Sequence, residues 1–269
     1  MTHDGFLQAI LDDSDDDSLR LIYADWLEER GDPRGEFIRI QCELARGMNG
    51  TRRSPLVQRE QQLLRLHEDE WTSSVCSLMK RRRRGFFNWK FIRGFIEEVW
   101  LDPRHSLAGI DELFQLAPIR CLAFQMNHEE RTFPGEYRAL FPCALANCPL
   151  LKRVVSLEVS FSHLGSDGIQ ALIFSDYLDN LKSLNLHDNR IGDGGARALA
   201  GSSLLERLEK LDLSNNAIGP VGVRALASAL AAQGETSKLR SLGLQGNPLR
   251  ATGMRVILDS PILRRVAEW

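Results

Sequence analysis

Six histidines, five cysteines, a run of aspartates and a stretch of five basic residues are the groups in this 269-residue chain that could do chemistry. The histidines are His3, His67, His105, His128, His163 and His187. Two metal ligands on one helix must sit a turn apart, and His128-Glu129-Glu130 has no second His four positions on. His163 and His187 fall at different phases of a repeat described below, so they do not stack at one level. The run Asp12-Asp13-Ser14-Asp15-Asp16-Asp17 raises calcium, but it lacks the spaced ligands and the glycine of a calcium loop. It reads instead as the cap of the next helix, where acidic groups complement the N-terminal dipole. Cys42, Cys76, Cys121, Cys143 and Cys148 are odd in number and form no CxxC, which reads as reduced thiols in a cytoplasmic protein. There is no phosphate-cradling GxxxxGK[ST] and no GxSxG elbow. No metal, no cofactor and no catalytic set is therefore expected.

Two further patterns need weighing. A strand, Gly192-Asp193-Gly194-Gly195, a helix and then Asp212 imitate a dinucleotide-binding fingerprint, but Arg197 stands where the third glycine belongs, and the same turn recurs with different glycines. Lys80-Arg81-Arg82-Arg83-Arg84, with Phe86, Phe87 and Trp89 beyond it, has the makings of a phosphate-backbone site with stacking rings. The plainer reading is a solvated loop offset by acidic helices. Residues 1–50 hold 5 Lys/Arg against 12 Asp/Glu, whereas residues 51–95 hold 11 against 4. The whole chain carries a net charge of −2, with 43% hydrophobic and 26% charged residues, ordinary for a soluble protein with no bulk attraction to nucleic acid or membrane. No apolar run is long enough for a membrane span, and the start has no basic, apolar leader.

The elements that would position any such group come from a repeat. Leu184-Asn185-Leu186 is followed by Asn189, Ile191, Gly192, Gly195 and Leu199. The pattern returns 27 positions on as Leu211, Leu213, Asn216, Ile218, Gly219, Gly222 and Leu226, and 27 positions back as Leu157, Val159, Ser162, Leu164, Gly165, Gly168 and Leu172. A fourth copy (Leu242, Leu244, Asn247, Leu249, Gly253, Ile257) is offset by 31, the extra residues falling in the polar insertion 231–237. Leu-x-Leu is a strand with both leucines on one side. The Asn that follows has an amide able to donate and accept where the chain turns inward. One strand and one helix cannot bury their apolar faces alone, so the copies must stack. Over residues 154–258 these residues resemble leucine-rich repeats of the ribonuclease-inhibitor type. The resemblance implies an α/β solenoid with parallel strands on the concave side and helices on the convex side. Ser162 departs from the Asn pattern and implies a looser turn.

Ahead of the repeats the chain reads as helical. Residues 5–11 make a short helix. Residues 18–30 make a second, with Leu19, Ile22, Tyr23, Trp26 and Leu27 on one face and Gly31 and Pro33 ending it. Residues 35–46 make a third. The stretch Leu21-Ile22-Tyr23-Ala24-Asp25-Trp26-Leu27-Glu28-Glu29-Arg30-Gly31-Asp32-Pro33-Arg34-Gly35-Glu36-Phe37-Ile38-Arg39 resembles the bacterial repeat-companion domain family. That resemblance implies a small module placed before repeats and carries no catalytic residues. Ser54-Pro55 starts a fourth helix to about Trp71, with Leu56, Leu63, Leu64, Leu66 and Trp71 apolar. Residues 87–91 and 95–101 alternate as a hairpin around Arg93-Gly94, expected to cap the solenoid. Further strands are expected at 99–101 and 122–124, with helices over 110–116 and about 137–146. Residues 1–85 are thus expected as the helical module and 86–269 as the solenoid.

The function expected is a non-enzymatic, cytoplasmic protein-binding scaffold. The residues alternating with the core leucines would bind the partner: Trp100, Ala123 and Gln125, then Glu158 and Ser160, Asn185 and His187, Asp212 and Ser214, Gly243 and Gln245. Two alternatives stand beside it. The repeats resemble those of Ran-type GTPase activators, which implies an enzyme regulator, although no arginine finger can be assigned. Lys80, Arg81, Arg82, Arg83 and Arg84 would bind nucleic acid in the other. The last unit, 261–269, is read as incomplete and without a covering helix, leaving an edge for a homodimer.

Overall fold

The computed structural model describes residues 1–47, 53–81, 88–102, 110–124 and 135–268. The chain divides into two compact units, Met1–Val99 with Gly109–Ile119, and Trp100–Ala108 with Arg120–Trp269.

The first unit holds α1 (His3–Asp12), α2 (Asp17–Glu28), α3 (Arg34–Ala45), α4 (Arg53–Arg81), the strand β1 (Asn88–Ile92), all but the last two residues of β2 (Phe95–Leu101), and α5 (Ile110–Leu116). Local chemistry sets its boundaries. Thr2 caps α1 by accepting from Gly5 N, and Asp16 caps α2 by accepting from Ser18 N, as expected of the aspartate run. Gly31 takes the left-handed conformation (φ +71°) past the end of α2, and its N–H donates to Glu28 O. Gly35 lets α3 approach α2 closely: a Cβ there would lie 2.6 Å from the carbonyl oxygen of Ala24. The β1–β2 turn is Arg93-Gly94, both left-handed, and Gly94 is pressed onto Ile38 of α3.

The core of this unit is Phe6, Ile10, Tyr23, Ala24, Leu27, Ile38, Cys42 and Phe95, with Leu19 and Trp26 partly buried against it. Two residues expected inside are outside. Ile22 is 53% exposed and Leu66 is 66% exposed. Successive helical residues turn through 100°, so Tyr23 and Leu27 take the centre of the buried stripe of α2 and Ile22 falls beyond its edge. Helix α4 runs ten residues past Trp71 because Val75 and Leu78 continue its buried face. Polar groups close the gaps. Gln41 Oε1 accepts from Gly94 N (2.7 Å), while its Nε2 donates to Phe91 O (3.2 Å) and Glu60 (2.8 Å). Arg20, fully buried, pairs with Glu97 (2.9 Å) and donates to Ser14 O, and Arg93 pairs with both Glu97 and Asp17.

The second unit is a run of strands and helices: β3 (Cys121–Phe124), α6 (Gly135–Ala146), β4 (Ser156–Val159), α7 (Gly165–Ile173), β5 (Ser183–Asn185), α8 (Gly192–Ala200), α9 (Ser203–Arg207), β6 (Lys210–Asp212), α10 (Pro220–Gln233), β7 (Ser241–Gly243), α11 (Arg250–Asp259), α12 (Pro261–Val266) and β8 (Ala267–Glu268). Strands β3 to β8 are parallel and adjacent in chain order, in an open sheet. The register matches the repeat: Leu157 pairs with Leu184, Leu184 with Leu211, and Leu211 with Leu242, so the offset of 31 is absorbed outside the strands. It is absorbed by the end of α10 and a 3-10 turn at Gly234–Thr236. Helices α6, α7, α8, α10 and α11 pack neighbour on neighbour in a second layer. Leu184, Leu186, Leu211, Leu213, Leu242 and Leu244 are all buried. The final segment differs from expectation: it has its own short helix, α12, started by Ser260 and Pro261, and ends in β8, which pairs with β7.

The asparagines join one repeat to the next. Asn216 Oδ1 accepts from Asn189 N (2.8 Å) and Ile191 N (3.4 Å), while its Nδ2 donates to Leu186 O (2.7 Å) and Ser214 O (3.0 Å). Asn189 binds Ser162 N, Leu164 N and Val159 O of the preceding turn, and Asn247 binds Asn216 N, Ile218 N and Leu213 O. Ser162 makes a single side-chain donation, to Ser160 O of its own turn. The residues on either side of Ser162, Asn189 and Asn216 are left-handed without being glycine: Phe161 and His163, Asp188 and Arg190, Asn215 and Ala217. Each such residue costs about 1–2 kcal/mol, and the Asn bonds hold it there.

Asn216→Ala, which bares four buried backbone groups, should cost about 1–3 kcal/mol in chemical denaturation, and Ser162→Ala should cost less. Leu213→Ala should cost about 2–5 kcal/mol as a core truncation. Wild-type stability in either Asn216→Ala or Leu213→Ala would contradict this packing. The first unit generates a pH prediction. Burial raises the Tyr23 hydroxyl from 10.0 to about 12 and the Cys42 thiol from 9.0 to about 11. Both groups ionise first in the unfolded chain, so the stability they contribute is complete below pH 9 and is lost as pH rises toward 12. The melting temperature should fall from pH 9 to 11, less steeply in Tyr23→Phe; a flat profile would count against both burials.

Candidate functional site

In β4 to β7 the central leucine faces the core and its two neighbours face the other way. The parallel register then lines up side chains of neighbouring strands in rows. Glu158 stands beside Asn185, Asn185 beside Asp212, and Asp212 beside Gly243. The second row is Ser160, His187, Ser214 and Gln245, carried just past the strand ends by bonds such as Asp188 N to Ser214 O (3.0 Å) and Asn215 N to Gln245 O (2.8 Å). The parallel register thus places on one face the residues expected to bind a partner in these four repeats.

Their surroundings differ. Asn185 accepts from His187 N (3.0 Å) and Asp212 from Ser214 N (2.8 Å), so both side chains brace the turn that follows their own strand. Ser160 and Ser214 are buried, each hydroxyl donating to a neighbour on the face, Glu158 (3.3 Å) and Gln245 (3.4 Å) respectively. Ala123 is buried as well. A Cβ at Gly243 would lie 2.4 Å from an Asp212 carboxylate oxygen, so any larger residue there would displace the Asp212 side chain. Glu158, Asn185, His187 and Asp212 are half-buried and Gln245 is exposed, so these five present atoms to solvent. Trp100 is half-buried on β2, and Gln125 lies outside the described residues.

One feature of the face was not foreseen. Phe161, 45% exposed, sits edge-on to the His187 ring with centroids 5.0 Å apart, and His187 Nε2 is 3.3 Å from Asn215 Nδ2. Phe161, His187 and Asn215 form a ridge along one margin of the rows. The left-handed conformation of Phe161 turns its ring outward, and no period in the sequence marks it.

Elsewhere the groups considered for chemistry are engaged in structure. Asp193 Oδ1 accepts from Gly219 N (2.7 Å) and Gly222 N (2.8 Å), filling the start of α10, while Gly195 and Gly222 admit close side-chain approach from Ile191 and Ile218. Of the glycines that imitate a dinucleotide fingerprint, Gly192 takes a left-handed conformation (φ +63°) at the start of α8 and Gly195 admits Ile191 of its own turn. Lys80 and Arg81 close α4, and Arg82, Arg83, Arg84, Phe86 and Phe87 lie outside the described residues. Trp89, a stacking candidate, donates its indole N–H to Glu68 (3.0 Å) on α4. Among the described residues, no three His, Cys, Asp or Glu side chains meet where a metal ion could be held, and no helix is long and apolar enough to cross a membrane.

No curated protein matches the chain. The family model described as Leucine Rich repeat matches residues 178–200 and 208–227, the segments carrying β5 with α8 and β6 with the start of α10. Within residues 178–227 the strand-and-helix units are thus similar to leucine-rich repeats.

Proposed function

We propose that this chain is a non-enzymatic scaffold whose repeats form a short solenoid and whose exposed sheet face binds a protein partner in the cytoplasm. One observation carries the reading: two rows of polar side chains, held in register by the 27-residue period, with the Phe161–His187 ridge at their margin. Leucine-rich repeats generally mediate protein–protein contact, and such a face supplies shape through the strands and specificity through individual side chains. Asn185 and Asp212 spend their side chains on backbone N–H groups, which suits a rigid recognition surface better than proton transfer. Exposed hydrogen-bonding groups with one aromatic ridge favour a polar partner and modest affinity. Self-association at the C-terminal end would rest on the two-residue β8, so a different protein is the favoured partner. The α1–α3 helices, with their Gly-Asp-Pro turn, are read as the repeat-companion module.

The test compares proteins captured by the wild type, by a His187→Glu/Gln245→Arg variant and by an Arg197→Glu/Arg224→Glu variant on exposed helix positions. A partner should be lost in the first variant and kept in the second, with both melting within a few degrees of wild type. Loss in the second alone would move the working surface to the helices.

A further inference from the structure

A second site lies within the helical unit, independent of the sheet face. A cleft of about 500 Å³ opens there between α1, α4, β2 and α5. That volume is in the range of small-ligand sites. Its lining includes the apolar side chains of Leu7, Leu11, Val75, Ile96 and Leu116. It also includes charge: Arg34, with Asp4, Asp32 and Glu70, the last two acting on the Arg34 guanidinium.

Arg34 is the anomaly. Its guanidinium carbon lies 5.3 Å from the centroid of Phe95, and its Nε is buried with no hydrogen-bond partner. Among the described residues its side chain forms no hydrogen bond and no ion pair; only its backbone N–H is bonded, to Asp32 (2.9 Å). Arg93, also largely out of solvent, is braced by Glu97, Asp17 and Ser14 O. Burial lowers the Arg34 guanidinium from its ordinary value, with the charges of Tyr23, Asp32 and Glu70 working against it. A planar fork of donors held without acceptors in a cleft is a receptor for a carboxylate.

The three carboxylates narrow the ligand class. They would repel a bare anion, and a bare cation would leave Arg34 as it is. A ligand with a carboxylate beside an ammonium satisfies both, and the apolar part of the lining accepts a hydrocarbon side chain. We propose that this cleft binds a free α-amino acid with a large aliphatic side chain, its carboxylate on Arg34, its ammonium toward Asp4, Asp32 and Glu70, and its side chain among Leu7, Leu11 and Val75.

The proposal is tested by calorimetric or NMR titration of the full chain with three probes. These are L-leucine, 4-methylpentanoate (the carboxylate without the ammonium) and 3-methylbutylamine (the ammonium without the carboxylate). Leucine should bind at least about tenfold more tightly than either fragment, since charged hydrogen bonds are lost with each. Arg34→Gln should lose leucine and 4-methylpentanoate alike. Asp4→Asn/Glu70→Gln, a surface change that keeps the fold, should weaken leucine and leave 4-methylpentanoate unchanged or tighter. No leucine binding at 10 mM of added ligand (roughly the weak limit for a fragment of this size) would overturn the proposal. So would 3-methylbutylamine binding as tightly as leucine, or leucine affinity untouched in Asp4→Asn/Glu70→Gln or in a folded Arg34→Gln.

Discussion

The repeat unit depends on one interaction, the amide of a buried asparagine at the inward turn. Asn189, Asn216 and Asn247 each accept from two backbone N–H groups of the preceding repeat and donate to carbonyls on both sides. Leucine burial supplies most of the favourable free energy, but burial is non-directional. The amides are directional. They satisfy backbone groups that the three-residue strands leave unpaired, and they hold left-handed residues such as Asp188 and Ala217 against their preference. Register follows, and with register the alignment of Glu158, Asn185 and Asp212 across strands.

Ser162 shows what happens without that amide. Its hydroxyl bonds within its own turn, so the repeat holding Ser162 has no side-chain hook of its own and is held by Asn189 of the next. Phe161, beside it, is turned outward at a conformation bulky residues avoid. The Phe161–His187 contact therefore sits where the ladder is least complete. Backbone strain and surface exposure coincide at the margin of the proposed binding face.

The helical unit uses a different device. Buried cations brace its turns: Arg20 and Arg93 share Glu97, both donate to Ser14 O, and Arg20 also donates to Arg93 O. Removing a partner from such a set leaves a charge bare, which costs more than the pair contributes. Arg34 shares with Arg20 a buried Nε without a partner, but no other atom of its guanidinium forms a hydrogen bond or ion pair among the described residues. The same physics that makes Arg20 structural makes Arg34 the proposed anchor for a ligand carboxylate.

Much of this was legible beforehand because it is local or periodic. The Leu-x-Leu strands, the asparagine turns, the Asp16 cap, the Gly31 helix stop and the Arg93-Gly94 hairpin all follow from residue type and spacing, and they stand in the structure as expected. Even the rows proposed to bind a partner could be placed on one face, since strand alternation and the repeat pattern suffice. What the sequence could not reveal depends on neighbours distant along the chain. Ile22 and Leu66 point outward because other residues fill the stripe. Asp193 serves a helix 27 residues on, the glycine-rich turn is a packing device, and α12 covers the last repeat. Whether Arg20, Arg93 or Arg34 finds a carboxylate was settled only by tertiary packing, because a charge's partner is chosen by distance in space, and sequence spacing carries no record of it.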